Sequence, residues 1–317
     1  MDIRYALNAI KRNWRRTDWW GRMFNSFVAG GYHDLFVEND GRYVMEEDWD
    51  DLIILDGCRY DVFENVATDH LSLPGELRRI RSRGTGSPEF IEENYAGERF
   101  EDTVYVTANP YVEMLLEGQF AHVEHVWLDG WNDDLETVEP ERMVEETRRL
   151  RERFPNKRFI VHFMQPHHPF IGETRLEEDS GFTVLRSKVT GDEIPDEKFV
   201  WERLKRGELD RKQVWEAYRS NLERVLPAAE ELAEETNGKT VITSDHGNAF
   251  GERARPFPTR IYGHGTSVRI PALVNVPWFE VEAETRREIT GTTETATTED
   301  ADNDVIEERL ESLGYRT

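Results

Sequence analysis

Acidic and imidazole side chains follow two short apolar runs that lie far apart in the chain. One run, residues 240–243, leads through a single serine to Asp245 and His246, and the other, residues 52–55, is followed directly by Asp56. A carboxylate and an imidazole together suit a divalent cation. Each motif alone is also compatible with a plain turn, since Asp and Gly favour turns and a histidine can simply end a strand. Because two such strand ends occur in one chain, we predict that they share a metal ion.

A hydroxyl group at a predicted helix start is a candidate nucleophile. Ser87 is followed by Pro88 and Glu89, residue types that favour the first turn of a helix, so Ser87 is predicted to be the N-cap. The same position suits attack on an anionic ester, because unpaired amides and the helix dipole stabilise developing negative charge. A bound metal would help to deprotonate the hydroxyl. The cap and the nucleophile are compatible roles, and Thr85 is the alternative nucleophile.

Alternating strands and helices are predicted to place these side chains at one edge of a sheet. Short apolar runs alternate with helical patterns, the runs at 52–55, 103–107, 159–163 and 240–243 and the helices at 139–153 and 211–235. This order favours an α/β fold, a three-layer α/β/α sandwich with a mostly parallel central sheet. Ligands of such sheets bind beyond the carboxyl ends of the strands, which selects Asp56, His167 and Asp245.

Composition divides the chain into three predicted segments. Residues 1–45 form a lead-in that begins with a basic amphipathic helix, residues 46–282 form the catalytic domain, and residues 283–317 form an acidic linker and a C-terminal helix. Residues 1–22 contain six Lys or Arg and two Asp, a net charge of +4. Such a helix could rest on an anionic membrane surface, or it could pack on its own domain or on a partner.

The chain as a whole is strongly acidic. Its 64 acidic and 40 basic residues give a formal net charge of −24, and only seven of the basic residues are Lys. An acidic, lysine-poor surface stays hydrated in concentrated salt, where screening removes most self-repulsion, so we predict a halophilic source. An ordinary acidic cytosolic protein is the alternative. This charge argues against a nucleic-acid partner.

Location is predicted from what the sequence lacks. No apolar run is long enough to span a bilayer, and the N-terminus has no signal-peptide pattern, so we expect a cytoplasmic location with peripheral membrane contact through residues 1–22. Cys58 is the only cysteine, so no internal disulfide can form, and it is expected to be a small buried residue.

The order of these motifs resembles the alkaline phosphatase and sulfatase superfamily, in a haloarchaeal type. The shared stations are the strand-end Asp56, the hydroxyl at a helix start, the Pro-His-His-Pro motif at 166–169 and the Ser-Asp-His-Gly motif at 244–247. The resemblance covers roughly residues 50–278, and residues 306–315 are similar to the end of many sulfatase-like chains. It implies an alkaline phosphatase-like fold.

The resemblance also implies roles for individual residues. Asp56, Asp245 and His246 would be metal ligands, and Ser87 would be both the nucleophile and a fourth metal contact. His167 would bind the transferred group. His264 falls where related enzymes carry a late histidine that contacts substrate or a second metal. The remaining candidates for binding substrate oxygens are Arg59, Arg83, Asn109 and Thr85. Arg59 and Arg83 could instead satisfy neighbouring carboxylates.

The implied function is metal-dependent hydrolysis of phosphate or sulfate esters. Sulfatases usually carry a Cys-x-Pro-Ser-Arg signature whose cysteine is oxidised to an aldehyde, and this chain has Ser87 at that station. An unmodified hydroxyl favours phosphate chemistry with one or two divalent ions, Ca, Mn, Mg or Zn. Three alternatives stay open: transfer of a phosphate head group onto a lipid or glycan, sulfatase action through a modified Ser87, and a non-catalytic binding protein.

Overall fold

The computed structural model describes part of the chain, namely residues 21, 24–116, 118–176, 200–265 and 267–291. The predicted basic helix within residues 1–22, apart from Gly21, lies outside this part. The predicted C-terminal helix through Ile306 and Leu313 lies outside it as well, as does most of the acidic linker.

A seven-stranded sheet forms the centre of the molecule. Strands β1 to β11 of the described part are, in chain order, Asp51–Leu55, Glu76–Arg81, Phe100–Thr107, Phe120–His125, Trp131–Asn132, Thr137–Val138, Arg158–Phe163, Thr240–Thr243, Ala249–Arg253, Arg260–Gly263 and Asn275–Val281. The central sheet has the order β2-β11-β8-β1-β7-β3-β4, while β9 pairs with β10 and β5 with β6. Strand β11 is antiparallel to both of its neighbours, and the other pairs of the central sheet are parallel.

Helices cover both faces of this sheet. Helices α1 to α9 of the described part are Gly31–Phe36, Tyr60–His70, Ser87–Tyr95, Tyr111–Leu115, Val126–Asp129, Pro140–Arg153, Val200–Arg206, Arg211–Glu235 and Pro271–Val274. A π-helical turn at Phe24–Gly30 precedes α1, and a 3-10 turn at Val44–Glu46 precedes β1.

Alternation along β1 shows how the three layers are built. Ile53 and Leu55 point into the apolar cluster that also contains residues of α2, α6 and α8. Leu52 and Ile54 point into a second cluster on the other face, which contains residues of α3. All four side chains are fully buried, and each contributes roughly 1.5–3 kcal/mol of hydrophobic stabilisation. The predicted three-layer α/β fold with a mostly parallel sheet is confirmed.

The long helix α8 occupies the range that its apolar periodicity predicts. It begins after Asp210, whose carboxylate accepts hydrogen bonds from the backbone amides of Lys212 and Gln213 at 2.8 and 3.2 Å. These contacts satisfy two amides that have no partner within the helix. Helix α6 begins at Pro140, one residue after its predicted start.

The π-helical turn at Phe24–Gly30 packs against residues 249–274. Ala29 and residues such as Ile261 and Ile270 form a small third core cluster. The division of the chain at residues 45 and 282 stays a prediction. None of the helices in the described part combines the length and the apolar composition that spanning a bilayer requires.

Candidate active site

Three ligand-type side chains from two neighbouring strands converge at the carboxyl edge of the sheet. Asp56 follows β1, and Asp245 and His246 follow β8, and one ligand atom of each lies within 4.8 Å of the others. The Nε2 atom of His246 is 3.5 Å from Asp56 Oδ1 and 3.4 Å from Asp245 Oδ2. All three residues are fully buried. Two carboxylates and one imidazole at this spacing are a suitable donor set for a divalent cation.

The protonation of His246 supports a cation between these groups. Its Nδ1 atom lies 2.7 Å from the carbonyl oxygen of Gly247, which can only accept, so Nδ1 carries the hydrogen. In the neutral imidazole the lone pair of Nε2 then faces the two carboxylates. Asp245 Oδ2 is buried and makes no hydrogen bond with the described residues. Lone pairs that face one another in a buried site repel unless a cation or a proton lies between them, so these residues fit a bound metal.

Ser87 adds a hydroxyl to this cluster. Its Oγ atom is 3.2 Å from Asp56 Oδ2 and 3.3 Å from His246 Nε2. Ser87 is the first residue of α3 and Gly86 is the N-cap, so the predicted N-cap assignment of Ser87 is wrong by one position. The helix start directs its side chain towards Asp56 and His246. The hydroxyl is therefore placed for metal contact and nucleophilic attack.

The loop after β8 holds Asp245 in a fixed orientation. Asp245 Oδ1 accepts hydrogen bonds from the backbone amides of Gly57 at 3.0 Å and His246 at 2.9 Å. Ser244 joins the same two loops, since its hydroxyl accepts from the amide of Cys58 at 2.8 Å and donates to the carbonyl of His246. Gly57 has a φ of +66°, a backbone conformation that glycine adopts without strain. Asp245 Oδ2 is thereby left to face the cluster.

Asn109 lies beside the metal-ligand cluster. Its Nδ2 atom donates to Asp56 Oδ2 at 2.8 Å, and its Oδ1 accepts from the amide of Tyr111 at 2.9 Å. The residue follows β3, so a third strand end contributes to the site. This contact orients the Asp56 carboxylate.

His162 is a part of the site that the sequence did not reveal. Its Nδ1 atom lies 2.9 Å from the hydroxyl of Tyr105. Its Nε2 atom, however, lies 3.6 Å from both Asp56 Oδ2 and Asp245 Oδ2. Burial alone would lower the pKa of His162, but the two carboxylates outweigh burial and raise it to about 9. Burial alone would raise the pKa of Asp245, but His246, His162 and the amide of Gly57 together hold it well below its usual range.

Two further histidines lie over the cluster on the side of Ser87. The ring centroid of His264 is 4.5 Å from that of His246 and 4.9 Å from that of His167. Burial is the main cause that lowers the pKa of His167, to about 4, and it also lowers the pKa of His264. Asn248 reaches His264 Nδ1 with its Oδ1 at 3.4 Å. Both shifts favour the neutral imidazole, which can accept or donate a proton.

The loop that carries His167 is fixed from two directions. The amide of His167 donates to the carbonyl of Asp56 at 3.1 Å. From the other side, the Nδ2 atom of Asn221 in α8 lies 2.9 Å from the carbonyl of His167 and 3.2 Å from those of Pro166 and Pro169. A buried amide that satisfies several loop carbonyls keeps an irregular segment in one conformation.

Two predicted substrate contacts, Arg59 and Arg83, lie in other hydrogen-bond networks. Arg59 forms two hydrogen bonds to Asp61, at 2.8 and 2.7 Å, and one to Glu252 at 2.7 Å. Arg83 pairs with Glu93 at 2.8 Å. These arginines thus satisfy neighbouring carboxylates, the alternative that the sequence left open.

Thr85 stabilises the turn before α3. Its hydroxyl donates to Glu89 Oε2 at 2.7 Å and accepts from the amide of Ser267 at 3.1 Å. The structure thus brings Ser87, and not Thr85, to the metal-ligand cluster. Cys58 is fully buried, as expected, and burial raises the pKa of its thiol.

Comparison with known proteins gives similarities of fold only. No protein-family model and no curated protein matches the chain in sequence. The integral membrane protein lipooligosaccharide phosphoethanolamine transferase A (EptA) from Neisseria meningitidis is 10% identical, with a TM-score of 0.48 over 74% of this chain and 47% of that one. The C-terminal periplasmic domain of EcEptC from Escherichia coli is 12% identical, with a TM-score of 0.40 over 77% of this chain and 76% of that one.

A third similar structure is a protein of the alkaline phosphatase superfamily from Vibrio parahaemolyticus. It is 12% identical, with a TM-score of 0.39 over 76% of this chain and 62% of that one. This is the superfamily that the sequence resembles, and the haloarchaeal type stays a prediction. The chain spans about half the length of the Neisseria protein, 47%.

Proposed function

We propose that this chain is a metal-dependent enzyme of the alkaline phosphatase superfamily that acts on phosphate esters through covalent attack by Ser87. The observation that carries the proposal is the position of Ser87 Oγ, 3.2 Å from Asp56 Oδ2 and 3.3 Å from His246 Nε2 at a helix start. A metal site without a nearby serine, or a serine without a nearby metal site, would support this function less. A hydroxyl within contact of two potential metal ligands has the arrangement that activated nucleophiles require.

Asp56, Asp245 and His246 would hold the metal, with Ser87 as a fourth contact. When bound, a divalent cation polarises an ester oxygen and lowers the pKa of a hydroxyl that contacts it. Ser87 Oγ attacks phosphorus as the bond from phosphorus to the leaving ester oxygen breaks. Asp56 Oδ2 is the acceptor towards which the hydroxyl proton points. The amides at the start of α3 stabilise the negative charge that develops there.

The two outer histidines are suited to the leaving group and to the second step. The Nδ1 atom of His167 faces the carbonyl oxygen of His168, so it carries the hydrogen and Nε2 carries a lone pair. Burial lowers the pKa of His167 to about 4, which favours the neutral imidazole before the reaction. During the reaction this imidazole can accept a proton from an attacking hydroxyl or water. The ring of His264 lies edge-on to that of His167 and tilted against that of His246, and it is placed to contact the leaving oxygen.

Metal analysis combined with ester turnover tests this function. We expect stoichiometric divalent metal in the purified protein, and turnover of 4-nitrophenyl mono- or diesters of phosphate in high salt. Ser87→Ala should lower kcat by about 10³-fold or more while the metal is retained, because the nucleophile is lost. Asp245→Asn should lower both metal content and kcat.

Two exposed residues of the same types provide matched controls. Ser72→Ala and Asp69→Asn lie at exposed positions away from the cluster, so both should keep wild-type turnover and metal. Unchanged turnover in Ser87→Ala would refute the assigned nucleophile. A folded protein without stoichiometric metal would favour the non-catalytic alternative, and a mass about two hydrogens below that of the unmodified chain would favour a modified serine and sulfatase action.

Transfer to an alcohol is a second candidate for the same residues. Ser87, Asp56 and His246 are fully buried, and a site that excludes bulk water favours an acceptor that is bound over a water that is not. Partition of the phospho-enzyme between water and added glycerol distinguishes the two reactions. Phosphoglycerol formed in excess of the molar ratio of glycerol to water would identify a transferase, and free phosphate alone would identify a hydrolase.

A further inference from the structure

Exposed apolar side chains are concentrated in one short segment. In the part of the chain that the structure describes, Phe27, Val28, Tyr32, Leu35 and Phe36 are between 36% and 78% exposed, and we call these five residues the apolar patch. The other large apolar side chain with comparable exposure there is Met114, at 41%. Scattered apolar residues are normal on a surface, but a group of this kind marks an interaction site.

The opposite face of this segment is fixed to the body of the molecule. Ala29 is fully buried in the third core cluster. His33 is buried between the patch residues, where Nε2 donates to the carbonyl of Arg255 at 2.9 Å and Nδ1 accepts from the amide of Arg269 at 3.2 Å. The patch is therefore presented by an anchored element, so its exposure is a property of the fold.

The patch is connected to the first turn of the catalytic helix. Arg269, which bonds His33 through its amide, uses its guanidinium to pair with Glu89 in α3 and to donate to the carbonyl of Arg83 at 2.9 Å. A cavity of about 560 Å³ lies between the two elements, lined by Leu35 and Phe36 on one side, by Glu89 and Glu93 on the other, and by Arg269. A surface that binds the patch would thus lie next to the helix that begins with Ser87.

The charge of the preceding residues identifies the occupant of this surface. Residues 1–22 carry six Lys or Arg and two Asp, whereas the chain as a whole has a net charge of −24. A basic segment with tryptophans, followed directly by exposed aromatic and aliphatic side chains, has the composition that binds anionic lipid head groups and buries apolar groups below them.

We propose that the apolar patch inserts among the head groups of an anionic lipid bilayer and so holds the protein on its surface. Resting on the proposed function, this assigns the substrate to esters of phosphate that are presented in the head-group layer beside α3. The predicted membrane contact of residues 1–22 is thereby extended to described residues whose exposure can be tested one by one.

Vesicle co-sedimentation tests the surface without reference to activity. We expect the wild-type chain to bind vesicles of phosphatidylcholine with phosphatidylglycerol, to bind pure phosphatidylcholine vesicles more weakly, and to lose affinity as salt rises. The double variant Leu35→Ser with Phe36→Ser should bind the mixed vesicles at least about tenfold more weakly, because its exposed apolar area is lost. Phe27→Ser should weaken binding in the same direction, and Met114→Ser, the matched control, should leave binding unchanged.

The possible failures are separable. Absence of vesicle binding, or an equal loss in Met114→Ser and in the double variant, would overturn the surface. Concentration-dependent dimerisation that the double variant abolishes would overturn it in favour of a second copy. Turnover of a soluble nitrophenyl ester should be the same in the double variant and in the wild type. A wild-type protein that binds vesicles but turns over no ester would contradict the proposed function and leave the membrane surface supported.

Discussion

At the scale of single residues, the electrostatics of the site depend on His162. Two carboxylates, Asp56 and Asp245, are fully buried a few ångströms apart, and such a pair is unfavourable without positive charge. The Nε2 atom of His162 lies 3.6 Å from an oxygen of each carboxylate. In the metal-free protein the protonated imidazole therefore compensates the two carboxylates. Protonation of His162 and binding of a cation compete, because both neutralise the negative charge of Asp56 and Asp245.

This competition predicts a pH dependence of stability in the metal-free protein. The pKa of His162 is raised from 6.5 to about 9, so its contribution to stability is fully present below pH 6.5 and is lost as pH rises through 9. A shift of this size corresponds to about 3 kcal/mol. Denaturant unfolding of the chelator-treated protein at a series of pH values between these limits should show the free energy of unfolding fall with pH.

The variant His162→Gln identifies the group responsible. Near pH 6 this variant should have a lower free energy of unfolding than the wild type, and it should lose most of the decrease of that free energy with pH. His70→Gln, a change in a histidine at the exposed end of α2, should keep the decrease. Equal slopes in the wild type and in His162→Gln would contradict the assignment of the proton to His162.

Residues at strand ends could be predicted from the sequence, and residues within strands could not. Asp56 and Asp245 follow apolar runs directly, and the rule that parallel strands present their carboxyl ends at one edge brings them together. His162 lies inside β7, where a polar residue has no local signal that distinguishes a core position from a site. Its role depends on the pairing of Ile54 with His162 across β1 and β7, which is a property of the sheet register.

At the scale of elements, the start of α3 depends on its contact with the loop after β10. A Cβ atom on Gly86 would lie 3.0 Å from the Cα atom of Gly265 and 3.6 Å from the His264 ring. Gly265 itself has a φ of +73°. The amide of Gly265 donates to the carbonyl of Thr85 at 2.7 Å, so this loop and the helix start are bonded side by side. The sequence predicted both the helix and His264, but this contact between them depends on the tertiary fold.

We expect Gly86→Ala to impair catalysis more than it impairs folding. The added methyl group must displace the backbone of Gly265, and His264 with it, which costs about 1–3 kcal/mol of stability. Because His264 lies over the site and not in the metal-ligand set, kcat should fall while metal content stays at the wild-type level. Metal analysis and turnover of the folded variant provide the measurement.

Gly291→Ala serves as the control for this substitution. No described atom lies within 4 Å of a Cβ at that position and its backbone has no positive φ, so activity and stability should be unchanged. Metal loss in Gly86→Ala would mean that the loop supports the ligands themselves and not only the outer histidine.

At the scale of the whole molecule, the acidic charge is balanced locally at only some positions. Arginines form many of the ion pairs at the surface, such as Arg286 with Asp48 and Arg224 with Glu141. Exposed pairs of this type contribute only about 0–1 kcal/mol each, and salt weakens them. The formal net charge of −24 remains as self-repulsion that acts over the whole surface. The two effects respond to salt with opposite signs, and the excess of acidic residues decides which is larger.

The midpoint of thermal unfolding should therefore rise with salt. As KCl increases from about 0.05 M to about 1 M, the Debye length falls from more than 10 Å to about 3 Å, so repulsion between the acidic side chains is removed. Thermal melts of the metal-free protein followed by circular dichroism measure this shift. A midpoint that rises with KCl would show that self-repulsion outweighs the ion pairs. A midpoint that falls with KCl would show that the arginine pairs dominate, and the predicted halophilic character would then be wrong.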